Sequence, residues 1–175
     1  MNAPKRHLFL TGEKQVGKST LLWKLAGMAG STAGFRTVRT NEFLGDRFSV
    51  HMLAAGKADQ PGEENLLFVC RSESPEKDGR FDALGCALLT DTAGAALIVM
   101  DELGPNERGA KAFQRAVLDT LDGSVPVLGV LQRAESAFLA SVAAHPDVDV
   151  VEVTRENRDE LLSMLAKRRP FSSGD

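Results

Sequence analysis

This sequence has few cysteines, no excess of positive charge and no long apolar run near its amino terminus. The two cysteines, Cys70 and Cys86, lack the C-x-x-C spacing typical of metal clusters and redox pairs, so we expect two inert, partly buried thiols. The net charge is −3 with scattered positive charges, which argues against a nucleic-acid partner. The apolar run that follows Lys5 and Arg6 is far too short for a signal peptide or a membrane span. We therefore expect a cytoplasmic protein that acts away from membranes.

Metal-ligand spacing is also missing among the histidines. His7, His51 and His145 lie far apart in sequence, and we interpret them as ordinary surface or strand-edge residues. The length of 175 residues suits one domain, large enough to bury about 70% of the surface that the unfolded chain exposes. We assign this domain to residues 1–169, with 170–175 as a flexible carboxyl-terminal tail, and we expect a monomer.

A glycine-rich stretch near the amino terminus is the strongest signal that is present. Residues 12–19 read GEKQVGKS, which matches G-x-x-x-x-G-K-[ST] and lies between an apolar strand pattern and a helix pattern. Such a turn points backbone amides at a phosphate chain, and the helix that follows presents its positive end to the anion. Lys18 is predicted to bind the outer phosphates during catalysis, and the Ser19 hydroxyl to ligate Mg²⁺. The nucleotide-binding residues predicted in this turn are Gly12, Glu13, Lys14, Gln15, Val16, Gly17, Lys18, Ser19 and Thr20.

Strand and helix patterns alternate along the rest of the chain, which predicts an α/β fold with a mainly parallel sheet. Residues 35–39 and 47–54 read as a small antiparallel excursion after the first helix. We interpret residues 56–80 as a solvated insertion rather than a substrate lid, with a possible strand at 66–70. Helices are predicted over 19–29, 81–93, 111–121 and 135–144 and around Leu161–Leu165, and further strands over 95–102, 125–131 and 148–153.

Two carboxylates end the apolar run over residues 95–100. A continuous apolar run is typical of a strand buried on both faces of a parallel sheet, and the carboxyl ends of such strands face the ligand crevice. Asp101 is therefore predicted to lie near the Mg²⁺ held by Ser19. Glu102, the next residue, is the candidate to activate or orient a water molecule.

The segment after the last predicted strand is the candidate nucleoside site. P-loop proteins often hold the nucleoside in this position, so Thr154, Asn157 and Arg158 are predicted to contact the nucleotide. The base-reading motif Asn-Lys-x-Asp is absent from the sequence. We therefore expect poor discrimination among bases.

Several further motifs resemble one family of P-loop proteins. The sequences GFRT at 34–37, DELG at 101–104, FQRAV at 113–117 and VTRENRDEL at 153–161 occur in the order and spacing of the P-loop nucleoside-triphosphatase family that includes the cancer-related nucleoside-triphosphatase and was formerly thought to contain nucleotide kinases. The resemblance covers most of the chain. One departure is Pro105-Asn106, where the family usually has Lys-Met.

The resemblance implies a RecA-like P-loop NTPase fold of the additional-strand type and slow Mg²⁺-dependent hydrolysis of several nucleoside triphosphates. Three functions share the predicted P-loop: hydrolysis of ATP, GTP and other triphosphates, phosphoryl transfer to a small molecule or nucleotide, and a nucleotide-binding switch or accessory ATPase. Hydrolysis is favoured because Glu102 follows Asp101 directly. Arg71 and Arg80 are the only arginines in residues 56–80, which gives a kinase lid little support.

Overall fold

The computed structural model describes residues 4–172, which form one mixed sheet between two layers of helices. The strands are β1 (His7–Thr11), β2 (Thr32–Thr40), β3 (Ser49–Ala54), β4 (Leu66–Val69), β5 (Leu97–Leu103), β6 (Val127–Leu131) and β7 (Val148–Glu152). The helices are α1 (Lys18–Ala26), α2 (Lys77–Thr90), α3 (Lys111–Leu121), α4 (Ala137–Ala143) and α5 (Arg158–Leu165). Short 3₁₀ turns cover Glu63–Asn65 and Pro105–Glu107.

The strand order of the sheet is β4-β3-β2-β5-β6-β1-β7. The pairs β2–β5, β5–β6, β6–β1 and β1–β7 are parallel, whereas β2–β3 and β3–β4 are antiparallel. The predicted mainly parallel sheet and its antiparallel excursion are therefore confirmed. Strand β6 lies between the strand that leads into the glycine-rich turn and the strand that carries the two carboxylates, which confirms the additional-strand arrangement.

Alternation of side chains along the buried strands gives the sheet two apolar faces. Leu8 and Leu10 of β1 pack with α1 and α5 on one face, while Phe9 packs with α2, α3 and α4 on the other. Burial on both faces explains why the central strands read as continuous apolar runs. Packing on both faces fixes the register of the strands, and therefore where each strand ends relative to its neighbours.

His7 and His51 are both completely buried, whereas the sequence predicts ordinary surface or strand-edge residues. The Nε2–H of His7 donates to the Leu121 carbonyl at 2.9 Å, and its Nδ1 accepts the Val127 N–H at 3.1 Å. Burial lowers the pKa of His7, so its imidazole is neutral in the core. A buried neutral ring with both nitrogens hydrogen-bonded is compatible with an apolar interior.

His51 lies in a polar network under the antiparallel excursion. Its ring nitrogens contact the Ser49 hydroxyl and the Asn65 side-chain oxygen, each at 2.8 Å. These contacts tie β3 to the 3₁₀ turn before β4, so residues 56–80 include packed structure as well as solvated loops.

Packed structure continues past residue 169, into the segment predicted as a flexible tail. Phe171 is buried against the α1 and α5 layer, and its N–H donates to the Arg168 carbonyl at 2.8 Å. Residues 173–175 of the predicted tail lie outside the described residues. Among residues 4–172, no helix combines the length and the apolar character needed to cross a membrane.

Candidate nucleotide site

The glycine-rich turn lies between β1 and α1, as the sequence predicts. Gly12 has a φ of +140°, and a Cβ on it would lie 2.3 Å from the Val153 carbonyl oxygen. Only glycine can occupy this position, because the turn passes directly against the end of β7. Gly17, also left-handed, is the N-cap of α1, so the amino terminus of that helix opens towards the turn.

Lys18 reaches back over the turn from the first position of α1. Its ammonium group donates to the Gly12 carbonyl at 3.0 Å and also contacts the Glu13 carbonyl. The charge predicted to meet the outer phosphates is therefore at the mouth of the turn.

Ser19 and Asp101 are in direct contact, although 82 residues separate them in sequence. The Ser19 hydroxyl donates to Asp101 Oδ1 at 3.0 Å, and the Trp23 indole N–H donates to Oδ2 at 2.9 Å. Burial raises the pKa of Asp101, while the two hydrogen bonds act in the opposite direction. A hydroxyl and a carboxylate are oxygen ligands of the kind that Mg²⁺ prefers, so this pair fits the predicted metal site.

Glu102 is held by a different set of partners. The Gln132 side-chain N–H donates to Glu102 Oε1. Thr37 Oγ1 accepts the Glu102 N–H at 3.3 Å and donates to the Asp101 carbonyl at the same distance. The register of β5 on β6 shifts between Met100 and Leu103. Such an irregularity changes the direction in which side chains point. It lies at Asp101 and Glu102, whose carboxylates contact different partners.

Gln132 is a site residue that the motif analysis missed. It directly follows β6, so the rule that drew attention to Asp101 at the end of β5 also applies to it. Its position depends on Gly104, where a Cβ would approach the Gln132 amide carbon to 2.9 Å. The Asp-Glu-Leu-Gly sequence therefore supplies the Glu102 carboxylate and, at Gly104, the space that the Gln132 side-chain amide occupies.

Arg133 is a second residue missed by the motif analysis. Its guanidinium binds the Glu13 carboxylate at 2.7 Å and also the Glu152 carboxylate. These exposed ion pairs bridge the glycine-rich turn to the end of β7. Because both pairs are solvent-exposed, we expect them to orient the turn more than to stabilise the fold.

The predicted nucleoside segment divides into two parts. Asn157 Oδ1 accepts the Thr154 N–H at 2.8 Å, and Thr154 Oγ1 accepts the Asn157 N–H at 3.2 Å, so these two side chains shape the loop itself. Arg158 instead lies beside Gly17, where a Cβ would be 3.4 Å from one of its terminal nitrogens. Together with Thr20 and Leu21 it lines a cavity of about 150 Å³ next to α1.

Glu107 is a buried carboxyl group close to Glu102. It is 3% exposed, and its Oε2 accepts the Gly104 N–H at 3.0 Å. Burial raises its pKa to about 7, the charge of Glu102 adds to this increase, and Lys77 and the hydrogen bonds oppose it. The 3₁₀ turn at Pro105–Glu107, where the sequence has Pro-Asn in place of Lys-Met, is closed by this carboxyl.

The Glu107→Gln variant should therefore change how stability depends on pH. The folded protein binds the Glu107 proton more tightly than the unfolded chain does, so protonation of Glu107 contributes to the free energy of unfolding. This contribution is fully present below pH about 4.5 and is lost as the pH rises through about 7. Between pH 5 and pH 8 it amounts to about 2 to 3 kcal/mol. Urea unfolding at pH 5 and pH 8 should show that the free energy of unfolding of the variant does not fall by this amount between the two pH values. The exposed Glu42→Gln change is the control, and parallel profiles for wild type and Glu107→Gln would contradict the expectation.

Comparison with known proteins agrees with this geometry. A family model described as NTPase matches residues 7–166. Nucleoside-triphosphatase THEP1 of Methanosarcina acetivorans is 30% identical over 91% of this chain and 94% of its own length. The Bos taurus cancer-related nucleoside-triphosphatase homolog is 32% identical, with 90% of this chain and 93% of its own covered. The crystal structure of THEP1 from Aquifex aeolicus has the same fold, with a TM-score of 0.73, 22% identity and coverage of 93% of this chain and 99% of that one.

The structure of the site and the family comparison agree. The glycine-rich turn, the buried Asp101 and the additional strand occur in the arrangement that the sequence motifs predict, and the family model extends from β1 to the end of α5. The chain therefore belongs to the P-loop nucleoside-triphosphatase family and is an NTPase.

Proposed function

We propose that this protein hydrolyses nucleoside triphosphates to diphosphates and phosphate, requires Mg²⁺ and discriminates poorly among bases. The observation that carries the proposal is the separation of two adjacent carboxylates. Asp101 is bound by Ser19 of the glycine-rich turn, and Glu102 is bound by Gln132, which directly follows the neighbouring strand β6. One carboxylate is thus available for a metal ion and the other for water.

In this proposal the glycine-rich turn binds the phosphate chain. The backbone amides of residues 12–20 donate to the phosphate oxygens, aided by the positive end of α1. Lys18 exchanges its contacts with the Gly12 and Glu13 carbonyls for contacts with the outer phosphates. Because a charge-assisted bond to phosphate is stronger than one to a carbonyl, this exchange is favourable.

Ser19 and Asp101 would hold Mg²⁺, whose charge would offset the negative charge on the phosphoryl oxygens. Glu102 accepts the proton of the attacking water through its second carboxylate oxygen. Gln132 fixes the first oxygen, so the carboxylate is oriented before the substrate arrives.

The metal assignment predicts a specific defect in Asp101→Asn. The amide keeps the shape of the side chain but loses the charge that attracts Mg²⁺, so half-maximal phosphate release should need at least tenfold more Mg²⁺, as for a loss of about 1.4 kcal/mol. Phosphate release should also stop in EDTA and return when Mg²⁺ is added. Asp91→Asn, on the exposed turn after α2, is the matched control. An unchanged Mg²⁺ titration in Asp101→Asn would show that this carboxylate is not a metal ligand.

The nucleoside assignment predicts limited base selectivity and a role for Arg158. Contacts without a dedicated hydrogen-bonding pocket separate similar ligands by about ten- to a few hundredfold. The kcat/KM values for ATP, GTP, CTP and UTP should lie within this range. Arg158→Ala should raise KM for all four, with Arg155→Ala as the control in the same loop. A preference above roughly a thousandfold, or an unchanged KM in Arg158→Ala, would contradict the assignment.

A further inference from the structure

A cavity of about 320 Å³ adjoins the carboxylate that we propose to activate water. Its lining includes the half-buried Glu102 and Gln132, the buried Glu107, the Phe68 and Phe81 rings and the exposed Arg39. We call the end with Glu102 and Glu107 the inner end, and the end with the exposed Arg39 the outer end. This volume is much larger than the space that one water molecule needs. It falls instead within the range of small-molecule sites.

The antiparallel excursion builds the outer part of this cavity. Arg39 of β2 and Phe68 of β4 belong to the three strands that extend the sheet beyond β5. The short edge strand β4 and the start of α2 close the side with the Phe68 and Phe81 rings, whose centroids are 6.4 Å apart. Phe68, from the segment interpreted as a solvated insertion, and Phe81, from the helix predicted to follow it, thus form an aromatic wall next to the catalytic centre.

Acidic and basic groups lie at opposite ends of the cavity. Carboxyl groups of Glu102 and Glu107 lie at the inner end, and Arg39 lies at the outer end, where the central carbon of its guanidinium is over the Phe48 ring, 4.2 Å from the ring centroid. Stacking uses the face of the guanidinium and leaves its N–H edge for an anion. An acceptor that presented a phosphate to the inner end would meet like charge, whereas a hydroxyl group could donate its proton to Glu102.

The strand register places Arg39 beyond Glu102 along the sheet. Arg36 of β2 pairs with Asp101 of β5, Thr37 contacts the Glu102 N–H, and Arg39 lies two residues further along β2. At about 3.3 Å per residue, the backbone of Arg39 is roughly 7 Å beyond that of Glu102. An aromatic ring with a hydroxyl group at one end and an acid group at the other has this order of groups.

We propose that this cavity binds an aromatic hydroxy acid as a phosphoryl acceptor, so that the protein transfers phosphate to an alcohol as well as to water. The proposal rests on the proposed roles of the glycine-rich turn and Glu102. The acceptor oxygen forms a bond to the γ-phosphorus, the bond from that phosphorus to the β–γ bridging oxygen breaks, and the diphosphate leaves. The hydroxyl proton goes to Glu102.

Cys70 provides a direct measure of occupancy, because it lines the same cavity and is one of two free thiols in the chain. In a Cys86→Ser protein, the rate at which iodoacetamide alkylates Cys70 should fall when 3-[4-(hydroxymethyl)phenyl]propanoate is added. The rate should fall about tenfold when the probe is at ten times its dissociation constant. Cys86 in a Cys70→Ser protein is the matched control, and its alkylation rate should not respond to the probe.

Phosphoryl transfer is tested with γ-labelled ATP and the same probe. Label should appear on the probe as a phosphate ester, and 3-(4-methylphenyl)propanoate, which lacks the hydroxyl, should protect Cys70 without becoming labelled. Arg39→Gln should weaken protection about tenfold or more, whereas Arg47→Gln on the same hairpin should leave protection and ATP hydrolysis unchanged.

Failure of this inference is distinguishable from failure of the proposed function. Normal ATP hydrolysis with no protection of Cys70, or with protection but no labelled ester, would overturn the acceptor site and leave the hydrolase proposal intact. Labelling of AMP would overturn the charge argument, since AMP carries its acceptor oxygens on a phosphate. Loss of ATP hydrolysis would refute the proposed function, and the alkylation assay would still decide whether the cavity binds the probe.

Discussion

Replacing Lys18 with alanine is expected to lower kcat/KM for ATP by about 10²- to 10³-fold or more, the effect of removing one donor from a preorganised oxyanion site. The ammonium group already lies over the glycine-rich turn, 3.0 Å from the Gly12 carbonyl oxygen. Its loss removes the charge that binds the outer phosphates and offsets the charge that develops in the transition state. Phosphate release under steady-state and single-turnover conditions measures the change.

Lys57→Ala is the matched control for Lys18→Ala, because it removes an exposed lysine on the far side of β2 from the glycine-rich turn. Circular dichroism should show that both variants fold. The Lys18 contacts with two backbone carbonyls are small contributions to stability, so no large loss of folded protein is expected. Hydrolysis by folded Lys18→Ala at the wild-type rate would move the phosphate site away from this turn.

Glu102→Gln is expected to reduce kcat by roughly 10²- to 10⁴-fold while nucleotide affinity stays close to wild type. The amide has the shape of the carboxylate, and its oxygen can still accept the N–H of Gln132. It cannot accept a proton from water. The variant should therefore trap bound ATP, which rapid filtration with labelled ATP would detect.

Single-turnover hydrolysis separates a chemical defect from a binding defect in Glu102→Gln. Glu135→Gln changes an exposed carboxylate just beyond Gln132 and should behave as wild type. A Glu102→Gln protein that hydrolyses at the parental rate would remove Glu102 from water activation. A protein that acts only as a switch would also have almost no rate to lose, so the wild-type rate itself tests that alternative.

Local sequence patterns predicted the parts of the site that depend on neighbours in the chain. The turn at residues 12–19 needs glycine next to the Val153 carbonyl, just after β7, and it needs a helix that starts directly after the turn. Both requirements select residue types within eight consecutive positions. The position of Asp101 at the end of a buried strand follows in the same way from the apolar run before it. The contact between Ser19 and Asp101 then follows, because parallel strands end at one edge of the sheet.

Other parts of the site depend on which strands are neighbours. Gln132 contacts Glu102 because β6 lies beside β5, and Arg133 contacts Glu13 because β6 also lies beside β1. No local sequence pattern specifies the order of strands in the sheet. Gln132 and Glu102 are 30 residues apart in sequence, and Arg133 and Glu13 are 120 residues apart. The loop role of Asn157 was missed for a related reason: a short polar side chain can bind either a ligand or its own backbone.

The sequence by itself determined the glycine-rich turn, the buried strands and the carboxylate pair, because strong local constraints on backbone conformation and burial select residues that can be recognised one by one. Tertiary structure alone decided the partners of Glu102, the burial of His7 and His51, and the cavity walled by Phe68 and Phe81. Each of these arises where separate segments pack together. Burial free energy acts on the combined surface of such segments, so no one of them carries a pattern that specifies the contact.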